Sequence, residues 1–144
     1  MDAKRFVIGT LVGGVAVFVA GTLIFAMAPF RHFLVYAMNA GSATGVAREP
    51  QLIWAVALGA LSYSALVTLA IEIRRRALNI RAGIKTGAVV GFLLWCTADF
   101  MFYGISNVGD LTSTLVDPFV ELVPGAIAGG VVAAVLQRVR PRAV

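Results

Sequence analysis

This chain is short of charge, of cysteine and of histidine, and each shortage excludes something. Only 13% of its 144 residues are charged, where a soluble domain carries about a quarter. The single cysteine, Cys96, stands in an apolar run. One cysteine allows no intrachain disulfide and no thiolate metal cluster, and in that setting it reads as a small buried hydrophobe. The single histidine, His32, has no serine motif to serve. The chain also lacks H-E-x-x-H, G-x-S-x-G, a Walker A loop and a dinucleotide fingerprint. Its glycines fall inside apolar runs, so they are packing glycines and not phosphate cradles. An intramembrane enzyme is therefore a distant reading, and the sequence implies no cofactor.

What the chain has in abundance is apolar sequence: 60% of residues are hydrophobic, in long runs. Four runs reach the ~20 residues that a spanning helix needs, at about 6–28, 52–73, 82–103 and 116–136. The expected fold is one all-α domain over residues 1–144, an integral membrane four-helix bundle of two hairpins. The first run exceeds the ~7–15 residues of a signal-peptide core, and Pro29 follows Ala26-Met27-Ala28 where cleavage would fall. It reads as a span.

Small residues mark the faces on which these helices can approach one another. The first run carries Gly9, Gly13 and Ala16, with Gly21 beyond, and the second carries Ala55, Gly59 and Ser62. The third has Gly83, Gly87 and Gly91, and the fourth Gly125, Gly129 and Ala133. Such faces suit a compact bundle and also allow a homo-oligomer or a seat in a larger membrane complex. Spans two and four both open on an acidic residue and a proline, Glu49-Pro50 and Asp117-Pro118. The match is short, and chance similarity between apolar helices accounts for it.

The net charge of +5 comes from basic residues set beside the apolar runs, not from a tail. The expected partner is therefore the lipid bilayer and not nucleic acid. Lys4 and Arg5 flank the first run. Arg74, Arg75, Arg76, Arg81 and Lys85 lie between the second and third, and Arg138, Arg140 and Arg142 follow the fourth. With four spans all of these share one side, and only Arg31 and Arg48 face the other. The positive-inside rule then places both termini in the cytoplasm of a bacterial inner membrane. Glu72 stands three and four residues before Arg75 and Arg76, a spacing that makes a surface ion pair on one helix face.

Carboxylates near the far ends of spans three and four are the candidate site. Asp99 lies ~25 Å along its helix at ~1.5 Å per residue. Tyr103 is one turn further, Asn107 and Asp110 lie in the loop, and the fourth run opens with Asp117 and Glu121. The three carboxylates are expected at similar depth, Glu121 about one turn inside its helix, in a pocket open to the outside. Two readings stand. In one, Asp117 is an N-cap with Pro118 at the first helical position, and Glu121 favours the positive end of the helix dipole. Asp99 is then held by Tyr103, Asn107 or Arg31 and sets the register of the bundle. In the other, the cluster binds a proton, a cation or a small cationic ligand, because a charge within the bilayer is costly unless it serves a function. Oxygen ligands suit hard cations, and His32 would admit a transition metal, so the identity of any metal is open. The connector from Pro29 to Gln51 holds His32, which is either a polar interface residue or a relay.

The segment from Gly83 to Ala134, through Asp99, Tyr103, Asn107, Leu111, Asp117 and the Gly125 to Gly130 stripe, resembles small bacterial membrane families catalogued only as domains of unknown function. The resemblance implies a four-helix inner-membrane protein and supplies no activity. The same residues would also suit a structural, assembly or protective partner of another membrane protein.

Overall fold

The computed structural model describes residues 2–26, 52–73 and 79–139. The described residues are almost entirely helical and contain no strand. Helix α1 is Ala3–Ala26, α2 is Ile53–Ile73, α3 is Ile80–Ile105, α4 is Leu111–Val120 and α5 is Leu122–Arg138. The last two are halves of one apolar rod, so four helices are long and apolar enough to cross a membrane. The spans pack in pairs, α1 along α2 and α3 along α5, and each pair runs antiparallel, Gly9 meeting Thr68 and Gly13 Ser64, Gly83 meeting Gly129 and Gly87 Gly125. Helix α5 is central, because it also packs against α1 and α2. The core is built from Val17, Ala60, Tyr63, Val67, Ile71, Ala128, Val132 and Leu136.

Local chemistry sets the helix ends. Asn79 caps α3 through its side chain, which accepts from the Ala82 N–H at 2.8 Å. Asp110 caps α4, with Oδ1 2.7 Å from the Ser113 nitrogen, while Ser113 and Thr114 hydroxyls donate back to its carbonyl. Each cap satisfies helix donors that have no partner of their own. Helix α3 passes through Gly104 and ends at Ile105, where the Ser106 hydroxyl donates to the Phe102 carbonyl at 2.7 Å. The fourth span therefore begins at Leu111, earlier than the apolar run suggested. Asp117 is inside a helix and is not its cap, which also removes the parallel with Glu49-Pro50.

The α3–α5 contact is made through glycine on both sides. A Cβ added to Gly87 would land on the Gly125 carbonyl, and one added to Gly125 on the Gly87 carbonyl. Gly83 and Gly129 exclude side chains from each other in the same way. Backbones this close gain dispersion and Cα–H···O contacts in place of side-chain packing. On α1, Gly9 meets Thr68 and Gly13 meets Ser64 and Val132. The close face of α2 is thus Ser64 and Thr68. The Ala55, Gly59 and Ser62 face does not make this contact: Gly59 has no described atom within 4 Å of an added Cβ, and Ser62 is exposed.

At the end of the bundle that carries the described ends of the chain, one arginine ties three helices. Arg5 is 4% exposed. Its Nε donates to Glu72 Oε1 at 2.9 Å, and its Nη2 stands 2.9 Å from the same oxygen. Its Nη1 donates to the carbonyls of Leu136, at 2.8 Å, and Val139. The guanidinium therefore pairs α2 and closes the carbonyl end of α5, where a cation also opposes the helix dipole. Glu72 is accordingly buried and paired across helices, not a surface residue; Arg75 and Arg76 lie outside the described residues. Spacing along one helix could not show this burial, because α1 delivers Arg5 from a distant part of the chain.

Candidate functional site

The opposite half of the bundle holds Asp99, Asp117 and Glu121. Helix α4 packs against α3, with Phe119 edge-on to Phe92 at a centroid distance of 5.2 Å. Asp117 of α4 and Asp99 of α3 bring their carboxyl groups within interaction range of each other. Asp117 is 6% exposed. Its Oδ1 and the Oδ2 of Asp99 are buried with no hydrogen-bond partner. At ~1.5 Å per residue both carboxylates lie ~9 Å inside the nearer ends of their helices.

Glu121 lies deeper. Because the rod begins at Leu111, Glu121 stands ~15 Å in, about a third of the way along it, and not one turn from its end. Here the rod breaks. Pro118 and Pro124 lack N–H donors, so the ladder is interrupted on both sides of Glu121, a known cause of helix discontinuity. Glu121 keeps its own N–H bond to the Asp117 carbonyl at 2.9 Å. Its carbonyl accepts from Gly125 N at 3.2 Å and from the Tyr63 hydroxyl at 3.3 Å. Gly91 allows that second bond, since an added Cβ there would fall on Tyr63 Oη and 2.7 Å from the Glu121 carbonyl oxygen. The carboxylate of Glu121 is 6% exposed in residue terms and within electrostatic reach of Asp117 and Asp99.

Glu121 also lines a cavity of about 940 Å³ between α1, α2, α3 and the α4–α5 break. Phe18, Ala60, Tyr63, Leu94, Trp95 and Pro124 form much of its wall. Trp95 Nε1 is buried without a partner.

The structure therefore brings three of the expected site residues together and leaves others apart. Tyr103 and Asn107 are exposed and do not join the carboxylates. Asp110 is a helix cap. His32 and Arg31 lie outside the described residues. Among the described residues no group of three His, Cys, Asp or Glu is arranged to hold a metal ion, and the one ion pair is Arg5–Glu72. Tyr63 and Trp95 had no mark in the sequence beyond being aromatics in apolar runs, which also describes ordinary core residues. Comparison with family models, with curated proteins and with solved structures finds no match for this chain.

Proposed function

We propose that this is a multi-pass protein of a bacterial inner membrane, with both termini cytoplasmic, and that Asp99, Asp117 and Glu121 bind a proton, a cation or a small cationic ligand from the outer side. One observation carries the reading: two carboxyl groups face each other inside the helical bundle, each with a buried oxygen that has no donor. Two charged carboxylates in contact repel, and a shared proton or a bound cation removes that repulsion. A purely structural role would be served better by a hydrogen-bonding neutral side chain. The resemblance of Gly83 to Ala134 to uncharacterised four-helix inner-membrane proteins agrees with this setting. Four helices leave little room for a private path across the membrane, so movement of the ligand needs a second copy.

The test is thermal melting of the purified protein in detergent across a pH and cation series. Wild type should show shifts that Asp117→Asn removes while remaining folded. Equal shifts in both proteins would overturn the reading. They would favour the alternative, a structural or protective partner of another membrane protein with no ligand of its own. That alternative draws on the exposed side of α3, including Leu93, Phe100, Met101 and Phe102, although lipid covers such a face equally well.

Orientation has its own test. Cysteines placed one at a time at Ser42 and Asn79, on a Cys96→Ser background, should be labelled from outside intact cells at Ser42 only. Labelling at Asn79 alone would invert the topology.

A further inference from the structure

We infer that the cavity beside Glu121 is a binding site for a lipophilic organic monocation, an inference that rests on the reading of the carboxylates as a cation site and names its ligand class. The cavity's volume, about 940 Å³, lies at the upper end of the roughly 300–1,000 Å³ of small-molecule sites. It is far larger than an inorganic ion needs. Gly21 and Gly59 line it, and an added Cβ at either would meet no described atom within 4 Å, so the walls stand well back there.

The polar groups of the wall narrow the choice further. Thr22 Oγ1 donates to the Phe18 carbonyl at 2.7 Å, and Ser62 Oγ to the Leu58 carbonyl at 2.9 Å. The Tyr63 hydroxyl donates to the Glu121 carbonyl at 3.3 Å. These three donors are occupied within the protein, whereas the Trp95 Nε1–H on the same wall is buried without a partner. The Glu121 carboxylate is also unoccupied: the residue is 6% exposed, and no described side chain hydrogen-bonds or ion-pairs with it. No lysine, arginine or histidine is among the described wall residues.

The wall therefore combines one buried carboxyl group, unpaired among the described residues, and one unpaired indole N–H with a large apolar surface. A neutral lipid chain would fill the volume and leave the carboxylate buried without a partner, which is costly. A metal ion would find one carboxylate where it needs several oxygens. A bulky cation satisfies the carboxylate and the apolar surface. Its charge pairs with Glu121, and its apolar body packs on Phe18, Leu94 and Trp95, with the aromatic rings adding cation–π attraction. Asp117 and Asp99 behind Glu121 deepen the negative potential.

The probe is tetraphenylphosphonium, titrated calorimetrically into the full-length protein in detergent, with neutral triphenylphosphine oxide as the uncharged control. Saturable binding of the cation and not of the control is expected. Glu121→Gln should weaken it by about tenfold or more, ~1.4 kcal/mol. Gly59→Leu fills the cavity from a position with free space and should weaken binding by a similar factor. It should leave the pH and cation shifts of the carboxylate cluster in place. If Glu121→Gln does not fold, Gly59→Leu decides alone. No binding by a wild type that still shows those shifts overturns this inference and spares the proposed function; loss of both overturns both. Equal binding of the neutral control, wild-type affinity in Gly59→Leu, or a co-purified lipid that the cation cannot displace would each also overturn it.

Discussion

The two halves of this bundle bury acidic side chains in opposite ways. At the end that carries Arg5, Glu72 is enclosed, paired with a guanidinium that also closes the last turn of α5. In the other half, Asp99, Asp117 and Glu121 have no cationic partner among the described residues, and one of them lines a large cavity. The same contrast holds for packing. Near Arg5 the helices touch through Gly9, Gly83 and Gly129, whereas Gly21 and Gly59 at the other end face open space. One half holds the helices together, and the other keeps open volume and carboxylates with no cationic partner among the described residues.

The contrast can be broken most severely at Gly87. Gly87→Leu drives a side chain into the Gly125 backbone, which cannot rotate away. The cost should reach or exceed the upper end of the ~1–3 kcal/mol usual for overpacking. The purified protein should lose its cooperative melt and elute as a broad peak in size-exclusion chromatography. Gly59→Leu, the same change in the open half, should leave the melt nearly intact.

Next in size is the clamp. Arg5→Ala removes the guanidinium that Glu72 shares with the carbonyl end of α5 and should cost about 3–5 kcal/mol. Arg5→Met combined with Glu72→Leu should recover most of that loss, because replacing both partners leaves no orphaned charge. Melting of the two variants side by side checks this, and a double variant no more stable than Arg5→Ala would mean that the carbonyl bonds to α5 matter more than the ion pair. A smaller effect, about 1 kcal/mol, is expected for Asp110→Ala, which removes the α4 cap. Asp110→Asn should cost only a fraction of that, since Asn caps nearly as well.

Much of the closed half was legible in the sequence. Apolar runs of spanning length marked the four helices, and the spacing of Gly83, Gly87, Gly125 and Gly129 marked small-residue faces, on which α3 and α5 meet. Those signals are local and periodic, so one chain suffices to read them. The partner of Glu72 was not legible, because Arg5 lies far away in sequence and reads there as an orientation signal. The start of the fourth span was misread for a related reason. Asp117-Pro118 has the composition of a helix start, but Asp110 lies upstream with Ser113 in place to receive a cap, and the rod absorbs the proline by breaking at Glu121. That shift moved Glu121 deeper into the rod and onto the cavity. The grouping of Asp99 with Asp117 survived, since a short loop between helices holds them at matching depth whatever the helix start. The cavity itself could not be foreseen, because space is set by how helices diverge and not by any residue pattern.

The central claim is that the buried acidic side chain at one end of the bundle has a cationic partner and that those at the other have none among the described residues. Two charge-removing substitutions of matched shape test it most directly, Glu72→Gln and Asp117→Asn, melted at neutral to mildly alkaline pH in the absence of added ligand. Glu72→Gln breaks a satisfied pair and should lower the melting temperature. Asp117→Asn removes a like-charge contact and supplies a donor to Asp99, so it should raise the melting temperature. Opposite signs are the predicted result; a fall in both would contradict the account.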